Sequence, residues 1–553
     1  MADSHRHASH RRWTRLGAAA VAIGFVTVAF TALGGASVRH RAHQAKSGGD
    51  ITFGVEAETT TYCLSKAQLA ISGIQVVAAV YDTLTVPNSK GVAVPYLAKS
   101  VEPNADFTVW TIGLRDGVKF HDGTPVDAAA VKLNLDSYRG APGAPNAGQL
   151  LPIVLGFIQD VTVTDAKTVT VTLKTPVSTF PNALYSTGRL GIMAPAQLNA
   201  GDECATKMIG SGPFTLESYA QNEKTVVVKN PDYWQKGYPK ADRITFVPVV
   251  DGAVRVTQLQ GGQLNVMHTS SAQQIETISS GGQTKALVQQ PGFRELRYYI
   301  MLSDSPPFDN PTAREAFTTA IDRKTVNEIR NKSFFEVSNS LMDTKAPGYL
   351  KDAGYPKYNP KKAKKLVEQV KAAAGGSFDV VLGTTTDAEN SAEVQLVKEM
   401  LDKVGINATI SLQDQGTLIN KALQGSIDVL IWRNLHGGFS QSSDADNYPW
   451  WSNRNIPTGG INPINFARFD DTTTQDLLTQ GRSQSTLADA KKTYTAYNKA
   501  FAAGNYITPM WYVQWAIGYL PEVKLTLPPL PDGQGKPLFV YGRIPVLGLS
   551  ASG

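Results

Sequence analysis

The chain is short of the side chains that usually do chemistry. Its 553 residues hold eight histidines and two cysteines. Five of the histidines fall in the first 43 positions, leaving His121, His268 and His436 for the rest. That is thin material for acid–base catalysis. The sequence has no His-Glu-x-x-His pair, no Cys/His spacing of a structural metal site and no Gly-x-Ser-x-Gly nucleophile elbow. Asp532–Pro537 (DGQGKP) contains a Gly-Lys pair but not the glycine spacing or hydroxyl of a phosphate loop, and reads as a turn. Ser211 sits between Gly210 and Gly212, but Pro213 follows and no histidine is near in sequence, which argues against a nucleophile. Excess charge is missing too. Residues 1–49 carry seven Lys/Arg and one acid, which accounts for the whole net charge of +6. A neutral remainder gives no electrostatic case for nucleic acid. An apolar content of 42% with 9% aromatics is globular, and the length calls for more than one lobe.

The basic leader has its own explanation. Arg11, Arg12 and Arg15 precede Leu16–Val38, which is uncharged throughout. A basic segment followed by an apolar core predicts an export signal. Gly34-Gly35-Ala36 offers a cleavage site, while the 23 uncharged residues would equally serve as an uncleaved anchor touching the membrane. Ala36 stands where a lipoprotein signal would carry cysteine. No later stretch is long and apolar enough to span a bilayer, so the remainder is expected outside the cytoplasm, in the periplasm or on the outer face of the membrane. In such a compartment the pair Cys63 and Cys204 points to a disulfide, the alternative being two buried thiols.

Alternating runs predict strands at Ile51–Glu56, Phe107–Arg115, Thr168–Lys174, Lys224–Asn230 and Ala241–Val250. From about residue 300 the pattern becomes strand–helix alternation. Asn310-Pro311 and Asn359-Pro360 are predicted caps with proline at the first helical position. This part reads as an α/β lobe with a partly parallel sheet. The end, Tyr506–Leu527, returns to strands.

The stretch Leu114–Asp136 (LRDGVKFHDGTPVDAAAVKLNLD) gathers Arg115, His121, Asp122 and Asp127 around paired glycines. Asp116-Gly117 and Asp122-Gly123 are turn pairs, Val118–Phe120 a minimal hairpin strand, and Asp127 the cap of a helix. The physical reading is therefore architecture, with His121 bracing a turn and Arg115 pairing with an acid.

The same stretch resembles the hallmark segment of family 5 extracytoplasmic solute-binding proteins, the oligopeptide-, dipeptide- and nickel-binding components of ABC importers. The resemblance extends through Val80–Val86 (VYDTLTV), Pro95–Val126, Ile209–Phe214 (IGSGPF), Asn230–Trp234 (NPDYW), Pro306–Arg323, Tyr358–Val367, Val404–Ile410 and Gly425–Trp432 (GSIDVLIW). It implies an α/β, two-lobed, periplasmic-binding-protein-like clamp of type II, with mixed sheets flanked by helices. The expected division is an export signal or anchor with its linker at 1–49, a first lobe at 50–300 with an inserted subdomain at about 100–205, a second lobe at 301–515, and a return to the first lobe at 516–553.

The resemblance further implies a non-enzymatic monomer without a cofactor. It would enclose a peptide or peptide-like solute between its lobes and deliver it to a permease powered by a separate ATPase. Alternatives on the same scaffold are a metal chelate, an opine or a sugar as ligand, or an envelope sensor or assembly factor without transport. In peptide-binding relatives a Trp-x-x-Asp pattern holds the peptide's amino terminus. Here Trp432 matches, but Leu435 replaces the acid, leaving Asp444 or Asp446 to substitute. Arg433 and His436 would instead hold a carboxylate, beside Asn434. Trp432, Trp450, Trp451, Trp511 and Tyr512 are expected as apolar walls, with core packing as the alternative for each. Gly73 and Gln75, in a turn at Ser72–Gln75, are expected to face the cleft. His436 alone is a poor nickel ligand.

Overall fold

The computed structural model describes residues 48–59, 61–148, 151–434, 444–453, 463–539 and 541–551, without the side chains of 445 and 446. The predicted leader, Leu435 and His436 lie outside the described residues. Among the described residues no helix is long and apolar enough to cross a membrane.

Two large mixed sheets, flanked by helices, divide the chain into two lobes. The first has seven strands in the order Lys285–Val288, Ala516–Tyr519, Val266–Thr269, Asp50–Val55, Arg243–Pro248, Lys224–Lys229 and Phe214–Ala220. Its centre is the opening strand DITFGV, which pairs in parallel with both neighbours. Phe53 and Phe246 of adjacent strands meet at 5.6 Å between centroids in the core. The second sheet has five strands in the order Asn407–Gln413, Asp379–Thr385, Val429–Asn434, Glu295–Met301 and Ile507–Val513. The chain passes from the first sheet to the second between Val288 and Glu295, and returns between Val513 and Ala516.

A four-stranded antiparallel sheet, Ala98–Pro103, Val109–Leu114, Thr168–Leu173 and Ile158–Asp165, is built onto the first lobe. Val131, Leu135 and Tyr138 of the helix Ala128–Arg139 are buried in its core. Cys63 and Cys204 are joined in a disulfide that ties residues 141 apart. Asn310 and Asn359 cap the helices Pro311–Ala320 and Pro360–Ala373, their side chains accepting from the amides of Thr312 and Lys362.

Leu114–Asp136 is architecture in every polar contact. Asp127 Oδ1 accepts from the Ala130 amide at 2.8 Å, and Asp122 Oδ1 from Thr124. His121 Nδ1 accepts from the Gly210 amide at 3.3 Å while Nε2–H donates to the Gly212 carbonyl at 3.0 Å, so a neutral ring spends both nitrogens on one turn. Burial holds its pKa below the ordinary value, which favours that neutral ring. Arg115 donates to the Tyr96 carbonyl, pairs with Asp532 at 2.6 Å and lies over Trp234. The expected hairpin strand at Val118–Phe120 shrinks to one bridge, Lys119 with Pro125, because the neighbouring amides close a tighter turn and reach across to Gly210.

Buried charges in the second lobe are tied in pairs. Arg294 binds Asp343 through two nitrogens. Glu393 receives Arg297, Arg330 and the Tyr299 hydroxyl. Such pairs are tolerated in a core only when each charge is matched.

Candidate functional site

Where the lobes meet, three segments distant in sequence bring charge together. Glu56 follows the opening strand of the first lobe. Glu295 begins the strand that enters the second lobe. Arg433 projects from the strand Val429–Asn434. The Arg433 guanidinium lies 3.5 Å from Glu56 Oε2 and 3.9 Å from Glu295 Oε2, and donates to the Ser270 hydroxyl. It stacks over the Trp515 ring at 4.6 Å, and the Trp515 indole donates to Glu295 Oε2 at 2.6 Å. Cation–π stacking and two carboxylates fix one guanidinium in one place.

The two acids differ. Burial pushes the Glu56 carboxyl up, but Arg255 (3.4 Å away) and Arg433, with His268 and the Ser270 amide, outweigh it and hold the pKa below its usual value. Burial also pushes Glu295 up. There Arg433 and Trp515 do not compensate, and the Glu56 charge adds to the rise. His268 is fully buried behind them. Its Nε2 accepts from the Glu56 amide at 3.1 Å, and burial draws its pKa down to about 4.

The Arg433 side chain is 32% exposed and Glu56 24%, against 8% and 0% for Arg297 and Glu393. The first pair is therefore within reach of solvent and of a solute, whereas the second is a core device. The Trp432 ring meets Phe466 at 5.1 Å, and Trp450 meets the same ring at 5.6 Å, giving a half-buried aromatic wall. The Arg433 cluster can accept an ammonium or pair with a carboxylate, while the aromatic wall packs on the second-lobe core.

A second set of contacts joins the lobes some way along the chain. The Thr179 hydroxyl, from the first lobe, donates to Asp444 Oδ2 at 3.0 Å, and Asp444 pairs with Arg482 at 3.4 Å. The Ser178 amide donates to the Arg482 carbonyl, and its hydroxyl to the Gln484 carbonyl. Arg482 lies between the rings of Tyr448 and Phe157, the latter from the first lobe. Burial raises the Asp444 pKa, against the pull of Arg482.

The expected site residues thus separate. Arg433 faces the junction, Trp432 next to it points to the other face of the strand and packs on the second-lobe core, Asn434 ends the strand, and Asp444 sits in the interlobe tie. Trp450 belongs to the aromatic wall. Trp451 is core, packed on Tyr298, Phe469 and Phe501. Trp511 is buried beside Arg330, and the Tyr512 hydroxyl donates to the Met342 carbonyl. Ser72–Gln75 is not a turn but the start of the helix Ile71–Val80. Its Gln75 amide is spent entirely on Ile544, donating at 3.1 Å and accepting at 2.9 Å. Gly73 packs against Thr59 and Leu69, where a Cβ would crowd both. Asp446 lies in the helix Asp444–Trp451 with its side chain outside the described residues, as is His436 altogether. Glu56, Ser270, Glu295, Trp515 and Phe466 escaped the sequence reading. The one available signal was FRELRYYIM, in which three charges interrupt an apolar strand.

Comparison with known proteins places this geometry in context. The model of the bacterial extracellular solute-binding proteins, family 5 Middle, matches residues 92–458. The chain is 30% identical over 321 residues to the glutathione-binding protein GsiB of Pectobacterium atrosepticum, covering 58% of this chain and 61% of that protein. It is 28% identical over 404 residues to GsiB of Escherichia coli strain K12, covering 72% and 77%. The chain thus spans about three-fifths of the length of the first of these relatives. Among solved structures it resembles AgaA of A. tumefaciens R10 in complex with agropinic acid, with a TM-score of 0.79, 24% identity, and 91% and 99% of the two chains covered. It also resembles DppA of Helicobacter pylori in complex with peptide STSA, with a TM-score of 0.78, 20% identity and coverage of 92% and 99%. At these identities the likeness shows the fold.

Proposed function

The chain belongs to the bacterial extracellular solute-binding proteins of family 5, and we propose that it is the exported solute-capturing component of an ABC importer, taking peptides or peptide-like solutes into the junction around Arg433. The observation that carries this reading is the solvent-reachable Arg433, held at once by Glu56 of one lobe, Glu295 at the crossing and the Trp515 ring. A solute carboxylate would displace Glu56 or Glu295 from the guanidinium, which binds carboxylates in two-pronged fashion. A solute ammonium would take up the carboxylate so released.

The two lobes, exchanging chain at 289–294 and 514–515, would open about these crossings and close on the solute. The four-stranded sheet and its helix would form the inserted subdomain. The closed form would dock on a permease, with a separate ATPase supplying energy. In this reading the chain carries out no reaction. The relatives named for glutathione, a tripeptide, make it the first solute to try.

Calorimetric titration of the full chain with glutathione and with a di- to pentapeptide pool tests the proposal. Binding should be weakened at least about tenfold by Arg433→Ala, corresponding to one lost charged contact, while the unfolding midpoint stays near that of the parent. Unchanged affinity in Arg433→Ala removes this junction from the reading.

A further inference from the structure

A cavity lies wholly within the first lobe, between the end of the helix Ile71–Val80 and the C-terminal segment. Its volume is about 90 Å³, several times the roughly 10–15 Å³ that one water needs. None of its lining residues comes from the second lobe, and none takes part in the Arg433 cluster. Val86, Pro529, Leu538 and Pro545 make its walls apolar, with the Tyr185 ring on one side.

Two charged residues reach this cavity, and only one is satisfied. Asp82 accepts from the Trp234 indole at 2.8 Å, the Tyr233 hydroxyl at 3.2 Å and the Ser211 hydroxyl at 3.3 Å. Its oxygens are taken up by the fold. Arg543 has one long hydrogen bond, to the Thr187 carbonyl at 3.4 Å, and stands over the Tyr185 ring at 5.0 Å. Among the described residues no acid pairs with it. Burial without a partner draws its pKa down to about 10, which still leaves it cationic near neutral pH. The backbone makes room for it: Gly188, at φ +91°, lies so close that a Cβ there would sit 1.7 Å from Arg543 Nη1. Arg543 is partly buried, and a guanidinium half withdrawn from water into an apolar recess with no acid beside it favours an anion.

We infer that this cavity is a second ligand site, taking a small organic monoanion whose carboxylate pairs with Arg543 and whose flat apolar body fills the proline-lined recess. It is separate from the interlobe junction and does not depend on what binds there.

Benzoate is a suitable probe, titrated calorimetrically into the full chain, with benzamide and inorganic phosphate as companions. Benzoate should bind, and Arg433→Ala should leave that binding unchanged. Benzamide lacks the charge and phosphate lacks the apolar body, so each should bind at least about tenfold more weakly. Arg543→Gln should weaken benzoate by at least about tenfold. Should that variant fail to fold, Ala78→Leu decides, because it extends a wall residue into the recess and leaves Arg543 in place. Parent-like benzoate affinity in the folded variants, or benzamide binding as well as benzoate, overturns the inference. So does the absence of benzoate binding to the parent chain.

Discussion

The tie at Thr179 offers a quantitative handle on lobe closure. Thr179→Val keeps the side chain's volume and removes the hydroxyl that donates to Asp444 at 3.0 Å. Asp444 retains Arg482, so no buried charge is stranded in either lobe. When the lobes part, water replaces the lost hydroxyl, so the cost falls on the closed form alone. A hydrogen bond to a charged group contributes about 1.5–3 kcal/mol. At 1.4 kcal/mol per factor of ten, the ratio of closed to open chain should fall roughly 10- to 100-fold.

Small-angle scattering of the solute-free chain should show a larger radius of gyration in Thr179→Val. If solute binds the closed form, apparent Kd should rise by a comparable factor wherever the open form dominates. Thr179→Ser, which restores the donor, should revert both. A Thr179→Val chain with parent scattering and parent affinity would refute the claim that this contact holds the lobes together.

Three further outcomes follow from the packing. Glu393→Gln leaves Arg297 without a counter-charge in the second lobe and Arg330 with Glu389 alone, and should lower unfolding stability by about 3–5 kcal/mol in a denaturant titration. Reducing the Cys63–Cys204 bond, or replacing both residues with serine, removes a constraint across 141 residues and should cost about 2–5 kcal/mol of the same quantity. His268 gives a pH dependence: its folded pKa is about 4 against 6.5 for a free ring, so the folded state resists protonation. That contribution is complete above pH 6.5 and is lost as pH falls toward 4, at most about 3 kcal/mol. A His268→Gln chain that folds should show a shallower acid limb in a plot of stability against pH.

What could be read in the sequence was local. The caps at Asn310 and Asn359 and the turns of Leu114–Asp136 depend on residues within a few positions of one another, and the chain folds them accordingly. The failures are failures of distance and of facing. The sequence points to Arg433, but its acidic partner Glu56 lies 377 residues away, and no spacing rule connects the two. Trp511 and Tyr512 sit on the strand Ile507–Val513, buried on both faces, so its pattern cannot say which side chains look toward a solute. Gln75 could not be separated from a ligand contact without knowing that Ile544 would take both ends of its amide. The charged residues of FRELRYYIM had no visible purpose until the second sheet placed Arg297 against Glu393 and Glu295 beside Trp515.

The account stands or falls on a peptide-like solute held at Arg433. The most direct measurement is native mass spectrometry of the full chain after incubation with glutathione and a di- to pentapeptide pool, comparing the parent with Arg433→Ala. The account predicts one intact solute per parent chain and strongly reduced occupancy in the variant. Equal occupancy in both chains, no retained solute in the parent, or recovery of the peptides as cleaved products would contradict it.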